Sequence, residues 1–286
     1  MQLGDWTFKI FSDGFFRLDG GASFGIVPKP MWEKRIPADD RNRIPVALRC
    51  LLAEGHGHRV LIDTGIGDRW DAKQRDIYGM DRRAGQLLTE LDSAGIARDS
   101  ITDVVLTHLH FDHAGGNCLD LASGMTPAFP AASWWVQRQH WDWAHNPSER
   151  DRASFRPDDY DALADTGRLE LVEGHVEILP ELRVAPTGGH TPGMQIPEFH
   201  TTDGTLVFLA DLIPTVANVH LPWVSGFDLN PLLSLSEKRS LLSRAAEDDY
   251  LLVFQHDPLH ETCRVRFREG RFEASETGDL DADISK

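Results

Sequence analysis

The stretch ITDVVLTHLHFDHAGG, residues 101–116, constrains this chain more than any other. Its opening run is almost continuously apolar, as in a strand buried on both faces, and such strands belong to sheets covered by other elements on either side. His108, His110, Asp112 and His113 follow within six positions. They fall at the carboxyl end of the strand, where open α/β sheets carry their ligand sites. Imidazole and carboxylate are the donor set for zinc and the neighbouring first-row metals. A loop leaving a strand can aim His108 and His110 to one side and Asp112 and His113 to the other, so one loop could serve two ions. The remaining donors must then come from distant sequence.

Three other strand ends offer them. GGHTPG follows LRVAPT and carries His190, ADL ends TLVFL with Asp211, and QHDP ends LLVF with His256. A lone HxH pair means little in a chain with 13 histidines. HxHxDH joined by a His, an Asp and a His at three more strand ends is a specific pattern.

Strands are expected near WTFKIFSDG, PVALRCLLAE, RVLIDTG, ITDVVLT, SWWVQ, LRVAPT, TLVFLAD, LLVFQHD and CRVRFRE, from their short or alternating apolar runs. Two segments carry helical spacing. DRRAGQLLTELDSAG places Leu87, Leu88, Leu91 and Ala94 along one face with Gly95 as a stop. In SLSEKRSLLSRAAEDD, Ser234 and Glu237 have the spacing of a capping box ahead of Leu241, Leu242, Ala245 and Ala246. A polar and aromatic segment of about residues 137–165 reads as a helical insertion broken at Pro147. No repeat and no Gly/Ser or Pro-rich linker divides the chain, so residues 1–286 are expected to form one α/β (α+β) domain, mixed sheets with helices packed outside.

Composition excludes several classes of function. A formal charge of −16 without a basic run argues against a nucleic-acid partner. Cys50, Cys118 and Cys263 form no CxxC pair and fit a reducing compartment. The N-terminus MQLGDWTFKIF has neither the basic nor the apolar part of a leader, and no run reaches the roughly 18 apolar residues of a membrane span. A cytoplasmic protein is the expectation. The acidic end SETGDLDADISK, residues 275–286, lacks a hydrophobic period and is expected to be flexible.

With these residues in hand, the sequence resembles the metallo-β-lactamase superfamily, whose pattern is HxHxDH, a His, a bridging Asp and a last His, over most of the chain from RVLIDTG to QHDP. The resemblance implies a four-layer αββα sandwich with metals in the groove between two sheets. It implies that His108, His110 and His190 hold one metal, that Asp112, His113 and His256 hold the other, and that Asp211 bridges them. Asp63 of LIDTG matches a position that supports a metal-bound His from behind. Two divalent ions are implied, zinc first, with iron, manganese or cobalt suiting the same donors. Such ions about 3.5 to 4 Å apart make hydroxide available near neutral pH and polarise a carbonyl or phosphoryl oxygen. Asp112 could pass a proton to the leaving group.

Within the superfamily, Asp211 stands where the best-known zinc β-lactamases carry Cys or lack the bridge, and His110 where flavodiiron proteins carry Glu. HLHFDHAGGN, ADLIPT and the final HDP look like the N-acyl-homoserine lactonase branch, more closely its YtnP-type quorum-quenching members. The resemblance implies opening of lactones or small esters by a metal-bridging hydroxide, and relatives imply a homodimer. Phosphodiester, phosphotriester or thioester hydrolysis on the same metals is the alternative, and a sensing or iron redox member of the fold a more distant one. One departure stands out: the best-described lactonases have a substrate-binding Tyr three residues after the bridging Asp, where this chain has Pro214. Phe24, Met31, Trp32, Trp141, Trp143 and His220 are the expected substrate wall, able to line an apolar pocket for an acyl chain or an aromatic ester.

Overall fold

A computed structural model describes residues 1–122 and 124–280. The first nine strands are β1 (Gln2–Leu3), β2 (Trp6–Asp19), β3 (Arg43–Gly55), β4 (His58–Ile62), β5 (Asp103–Val105), β6 (Cys118–Leu121), β7 (Gly124–Pro127), β8 (Ser133–Gln137) and β9 (Leu169–Val172). Strands β6 and β7 pair only with each other, and the rest form a seven-stranded sheet in the order β1-β2-β3-β4-β5-β8-β9. The second sheet runs in sequence order through β10 (Val176–Leu179), β11 (Leu182–Thr187), β12 (Met194–Thr201), β13 (Gly204–Phe208), β14 (Leu251–Val253), β15 (Thr262–Arg268) and β16 (Arg271–Gly278). Both sheets are mixed: β4, β5, β8 and β9 are mutually parallel, as are β13 and β14. The helices are α1 (Gly20–Phe24), α2 (Lys29–Trp32), α3 (Ala72–Ile77), α4 (Leu87–Ser93), α5 (Phe111–Ala114), α6 (Arg138–His145) and α7 (Pro231–Glu247).

Strand alternation assigns side chains to layers. Leu51, Val60, Ile62 and Val105 of the first sheet meet Val184, Met194, Ile196, Phe199 and Phe208 of the second in the central core. Their neighbours Leu52, Leu61 and Val104 point the other way, under Leu87 and Leu91 of α4 and under Ala144, Phe155 and Tyr160 of the insertion. Helix α7 covers the second sheet with Leu241, Leu242 and Ala245. The order of layers is helix, sheet, sheet, helix, as the family resemblance implied. Among the described residues no helix is long and apolar enough to cross a membrane.

Two expectations are corrected, and one strand comes in addition to those expected. Strand β12, MQIPEFHT, lies inside the second sheet, its apolar pattern interrupted by Pro197 and the polar Gln195 and Glu198. Its buried polar groups are satisfied: the Gln195 amide donates to the carbonyls of Leu106 and Trp135 at 2.9 and 3.0 Å, and Glu198 accepts from Arg244 at 2.9 Å. The Ser234–Glu237 pair is no cap, because α7 starts at Pro231 and Asn230 supplies the capping oxygen to the Leu233 N–H. The chain end is also not free throughout, since Ser275 to Gly278 belong to β16 and Leu280 is buried in the central core. Residues 281–286 lie outside the described residues.

Candidate metal centre

The loop after β5 divides its donors by conformation. His110 lies on extended backbone at the head of the single turn of α5, which carries Asp112 and His113, and His108 precedes it in the loop. The glycines that follow are forced by close packing: a Cβ on Gly115 would sit 2.2 Å from the Ile66 carbonyl oxygen, and one on Gly116 2.2 Å from that of Thr64. This contact presses the loop against the segment after β4 that holds Asp63.

Folding brings all seven expected donors into two adjoining groups, His108, His110, His190 and Asp211 in one and Asp112, His113 and His256 in the other. In the first, His108 Nε2 lies 3.0 Å from His110 Nδ1, and His190 Nε2 lies 3.2 Å from the same atom. In the second, His256 Nε2 and His113 Nε2 are 3.2 Å apart, with Asp112 Oδ2 at 3.8 Å from each. Asp211 spans the two. Its Oδ2 is 3.2 Å from His190 Nε2, and its Oδ1 is 2.9 Å from His256 Nε2 and 3.4 Å from His113 Nε2. The residue before it, Ala210, is held at a φ of 44°, a costly conformation for a residue with a Cβ.

The far side of each ring fixes its direction. Asp63 Oδ2 is 2.9 Å from His113 Nδ1 while the same carboxylate accepts from the Thr107 N–H and hydroxyl, both at 2.7 Å. Asp228 Oδ1 is 2.9 Å from His190 Nδ1, and His256 Nδ1 donates to the Ala47 carbonyl at 2.8 Å. Thr107 Oγ1 stands 3.1 Å from His108 Nδ1. Anchored this way, the inward nitrogens present lone pairs, which is how outer partners orient metal ligands. His140, from α6, ties two ligand loops together: its Nε2 accepts from the Leu109 N–H at 2.8 Å and its Nδ1 donates to the Pro192 carbonyl at 2.9 Å.

The donor set fits cations. Burial, then the neighbouring His113 and His110, push the His108 imidazole well below its usual range; burial and His190 do the same to His110, so both favour the neutral donor form. Burial also opposes ionisation of Asp211, yet His113, His256 and His190 hold its carboxyl far below the usual carboxylate range. Asp211 Oδ1 is buried without a hydrogen bond among the described residues. Lone pairs converging at 3.0 to 3.2 Å around a shared carboxylate call for positive charge at two points.

Above these groups opens a narrow cleft of about 40 Å³ lined by Leu18, Phe24, Ile44, Val46, Pro214 and Phe227, with the polar Ser23, Thr215, Asn218 and Ser225, and floored by Asp112, Asp211 and His256. Of the six expected wall residues only Phe24 lines it. Trp32 is buried behind Phe24, stacked at 5.5 Å between centroids. Met31 and His220 face a separate cavity on the other side of the turn Val216–Val219. Trp141 and Trp143 pack into the outer core of the first sheet, Trp141 against Tyr160 at 5.9 Å and Trp143 donating to Asp151 at 2.7 Å. Pro214 does border the cleft, and its carbonyl accepts from the His256 N–H at 3.3 Å. None of the chain's three tyrosines lines this cleft. Asp228, the Ala47 carbonyl and Phe227 carried no signal in sequence that single-chain reasoning could use, since each acts through a contact made only in the fold.

The sequence pattern of the Metallo-beta-lactamase superfamily matches residues 45–256. An N-acyl homoserine lactonase of Bacillus thuringiensis is 27% identical over 230 residues, 76% of this chain and 84% of that protein. One from Bacillus cereus is 26% identical over 238 residues, 78% of this chain and 87% of that protein. Among solved structures, a probable metal-dependent hydrolase from Staphylococcus aureus superposes with a TM-score of 0.88 at 28% identity, covering 97% of this chain and 99% of that one. A dizinc quorum-quenching lactonase shares the fold at a TM-score of 0.80 and 23% identity, covering 96% and 95%. With the matched residues running from β3 to His256 and the donors assembled as described, the chain belongs to the metallo-β-lactamase superfamily and is a metal-dependent hydrolase related to the acyl-homoserine lactonases.

Proposed function

We propose that this chain opens lactones or small esters with an apolar acyl part, N-acyl homoserine lactones being the class its relatives suggest. The observation that carries the reading is the position of Asp211 between two histidine groups, directly beneath a cleft whose lining includes apolar side chains and no Lys or Arg. A phosphodiester or phosphomonoester carries charge to be met by cationic side chains, and the walls here offer none. A neutral acyl compound needs only apolar walls and an electrophilic floor.

His108, His110 and His190 would hold one cation, and Asp112, His113 and His256 the other, with Asp211 shared. When bound, such a pair supplies hydroxide near neutral pH and polarises the carbonyl oxygen. The chain's own residues do the rest. Asp63, Asp228 and the Ala47 carbonyl hold three of the imidazoles in the donor tautomer. Phe24 and Phe227 exclude water beside the acyl chain. Asp112, which both belongs to the second group and faces the cleft, would take the proton carried in by the attacking oxygen and pass it to the departing alkoxide, leaving the ring-opened carboxylate and alcohol.

The test is a panel of lactones of graded acyl length, aryl esters, thioesters and phosphoesters, assayed on zinc-, manganese- and iron-reconstituted protein and on Asp211→Asn. Lactone turnover that exceeds phosphoester turnover and collapses in the variant is the expected result. Faster phosphodiester cleavage, or lactone turnover untouched by the substitution, would remove the proposal.

A further inference from the structure

Two adjacent residues of α7, outside the donor set and the cleft, grip the loops that build the site from opposite sides. The Glu237 carboxylate accepts from the Gly188 and Gly189 N–H groups at 2.8 and 3.1 Å, immediately before His190. That loop lies flat on the start of the helix: a Cβ on Gly189 would fall 2.3 Å from Ser234 Oγ and 2.4 Å from its nitrogen. The Asn230 N–H donates to the Gly189 carbonyl at 2.8 Å, and the Leu229 N–H to that of His190 at 3.1 Å. One position further along, Lys238 is buried to 1% exposure and sends its ammonium to three main-chain carbonyls, those of His220, Leu221 and Trp223, at 3.0, 3.1 and 2.9 Å.

An ammonium with three donors and three carbonyl acceptors is fully satisfied, and no carboxylate is within ion-pairing distance of it among the described residues. A buried charge of this kind is costly to desolvate, so a chain that needed only packing here would do better with Met or Leu. What the ammonium gains is the fixed path of an irregular segment that has no sheet or helix ladder to hold it. That segment matters to the cleft: the Trp223 ring meets Phe24 edge-on at 5.7 Å, the Trp223 carbonyl also accepts from the Asn218 amide, and Ser225 and Phe227 follow as lining residues.

We propose that Glu237 and Lys238 are paired positioning residues with separable tasks, Glu237 setting the His190 loop and hence cation retention, and Lys238 setting the 220–227 wall and hence affinity for substrate. The tasks separate because the His190 loop is tied to the start of α7 by Glu237 and by the Leu229 and Asn230 N–H groups, whereas Lys238 holds the carbonyls of His220, Leu221 and Trp223. The two regions meet at Asp228, whose side chain orients His190 and whose N–H donates to the Ser225 carbonyl at 3.3 Å. The part concerning substrate rests on the lactone and ester reading; the part concerning the two loops does not.

The experiment compares full-length Glu237→Ala and Lys238→Met with wild type by metal titration, by hydrogen exchange of both loops, and by kcat and KM on whichever lactone or ester the wild type turns over. Glu237→Ala is expected to weaken cation binding about tenfold to a hundredfold, with faster exchange at 188–190 and an unchanged KM once reloaded. Lys238→Met is expected to keep its metal, exchange faster over 220–226, and raise KM about tenfold with kcat little changed. Lys238→Gln, which retains an NH2 donor for part of the carbonyl set, should fall between Met and wild type, and it carries the test if the Met variant does not fold. Changes in metal affinity and KM that move together in both variants, or exchange left as in wild type, would overturn the assignment. Metal affinity and exchange are read without substrate, so a wild type inert toward every lactone and ester would defeat the functional reading and with it the KM assignment of Lys238, and would still leave the assignment of the two loops decided.

Discussion

The floor and the wall of the site are built on different principles. Every donor of the floor sits at a strand end or on the first turn after one, is largely buried, and most have an identified partner behind them: Asp63 behind His113, Asp228 behind His190, the Ala47 carbonyl behind His256. The wall comes from α1, from Leu18 of β2 with Ile44 and Val46 of β3, and from the irregular segment 214–227, whose hydrogen bonds fix its main chain while the side chains that face the cleft meet through apolar contact. A metal centre tolerates little error in ligand placement, so hydrogen bonds fix it. An acyl chain is bound by area, so its contacts ask less of exact direction than a metal ligand does. The sharpest way to break this contrast is to remove the shared carboxylate. Asp211→Asn is expected to lower turnover by about three orders of magnitude or more and to release metal, because both donor groups lose their common anion. Metal analysis beside the assay checks it, and full occupancy with wild-type rates would show that the floor is not what we describe.

The floor should also be sensitive to acid through a residue that binds no metal. Burial pushes His140 down from 6.5 to about 4, the Pro192 carbonyl partly opposing, and the neutral ring is what accepts the Leu109 N–H between two metal ligands. Between pH 6.5 and about 4 the unfolded chain takes up a proton that the folded chain does not, so stability must fall as pH drops through this window. The loss attributable to this ring is on the order of 3 kcal/mol. Urea unfolding of chelated protein across that range, wild type against His140→Gln, should give a shallower slope for the variant. Parallel slopes would mean that His140 is not the group responsible. Smaller again is the effect of an outer partner: Asp228→Asn is expected to cost about tenfold to a hundredfold in cation affinity, read by competition with a chelator, with KM of the reloaded enzyme unchanged.

The same contrast explains which parts were legible in the sequence. The strands that carry donors are short apolar runs ending in His or Asp, so β5, β11, β13 and β14 and all seven donor positions could be read from order and composition. Strand β12 could not, because Gln195 and Glu198 are polar for reasons visible only once Leu106, Trp135 and Arg244 are beside them. Glu237 was legible as a residue but assigned to a local cap, since spacing reveals neighbours along a helix and not the loop that arrives from residues 188 and 189. The wall was the least legible. An exposed tryptophan in a polar segment suggests a pocket, yet Trp141 and Trp143 find Tyr160 and Asp151 within their own insertion, and Phe227, which does line the cleft, has nothing in its sequence surroundings to mark it.

Phe227 therefore gives the mildest and most specific test of the contrast. It is 42% exposed and lines the cleft beside Phe24, so truncation removes apolar area from the mouth without opening a cavity in the core. Phe24, by comparison, is 1% exposed between Trp32 and Trp223, and its loss would disturb folding as well as binding. At roughly 25 cal/mol per Å² of apolar surface, a partly exposed ring that meets only the far end of a ligand accounts for about 1 kcal/mol. Phe227→Ala should thus raise KM for long-chain lactones by about threefold to tenfold, spare short-chain ones that do not reach the ring, and leave metal content and kcat as they are. Steady-state kinetics on two chain lengths suffice to check it. An equal loss on both would place Phe227 at the reacting end of the cleft, and the wall would then have to be counted with the floor as part of the catalytic geometry.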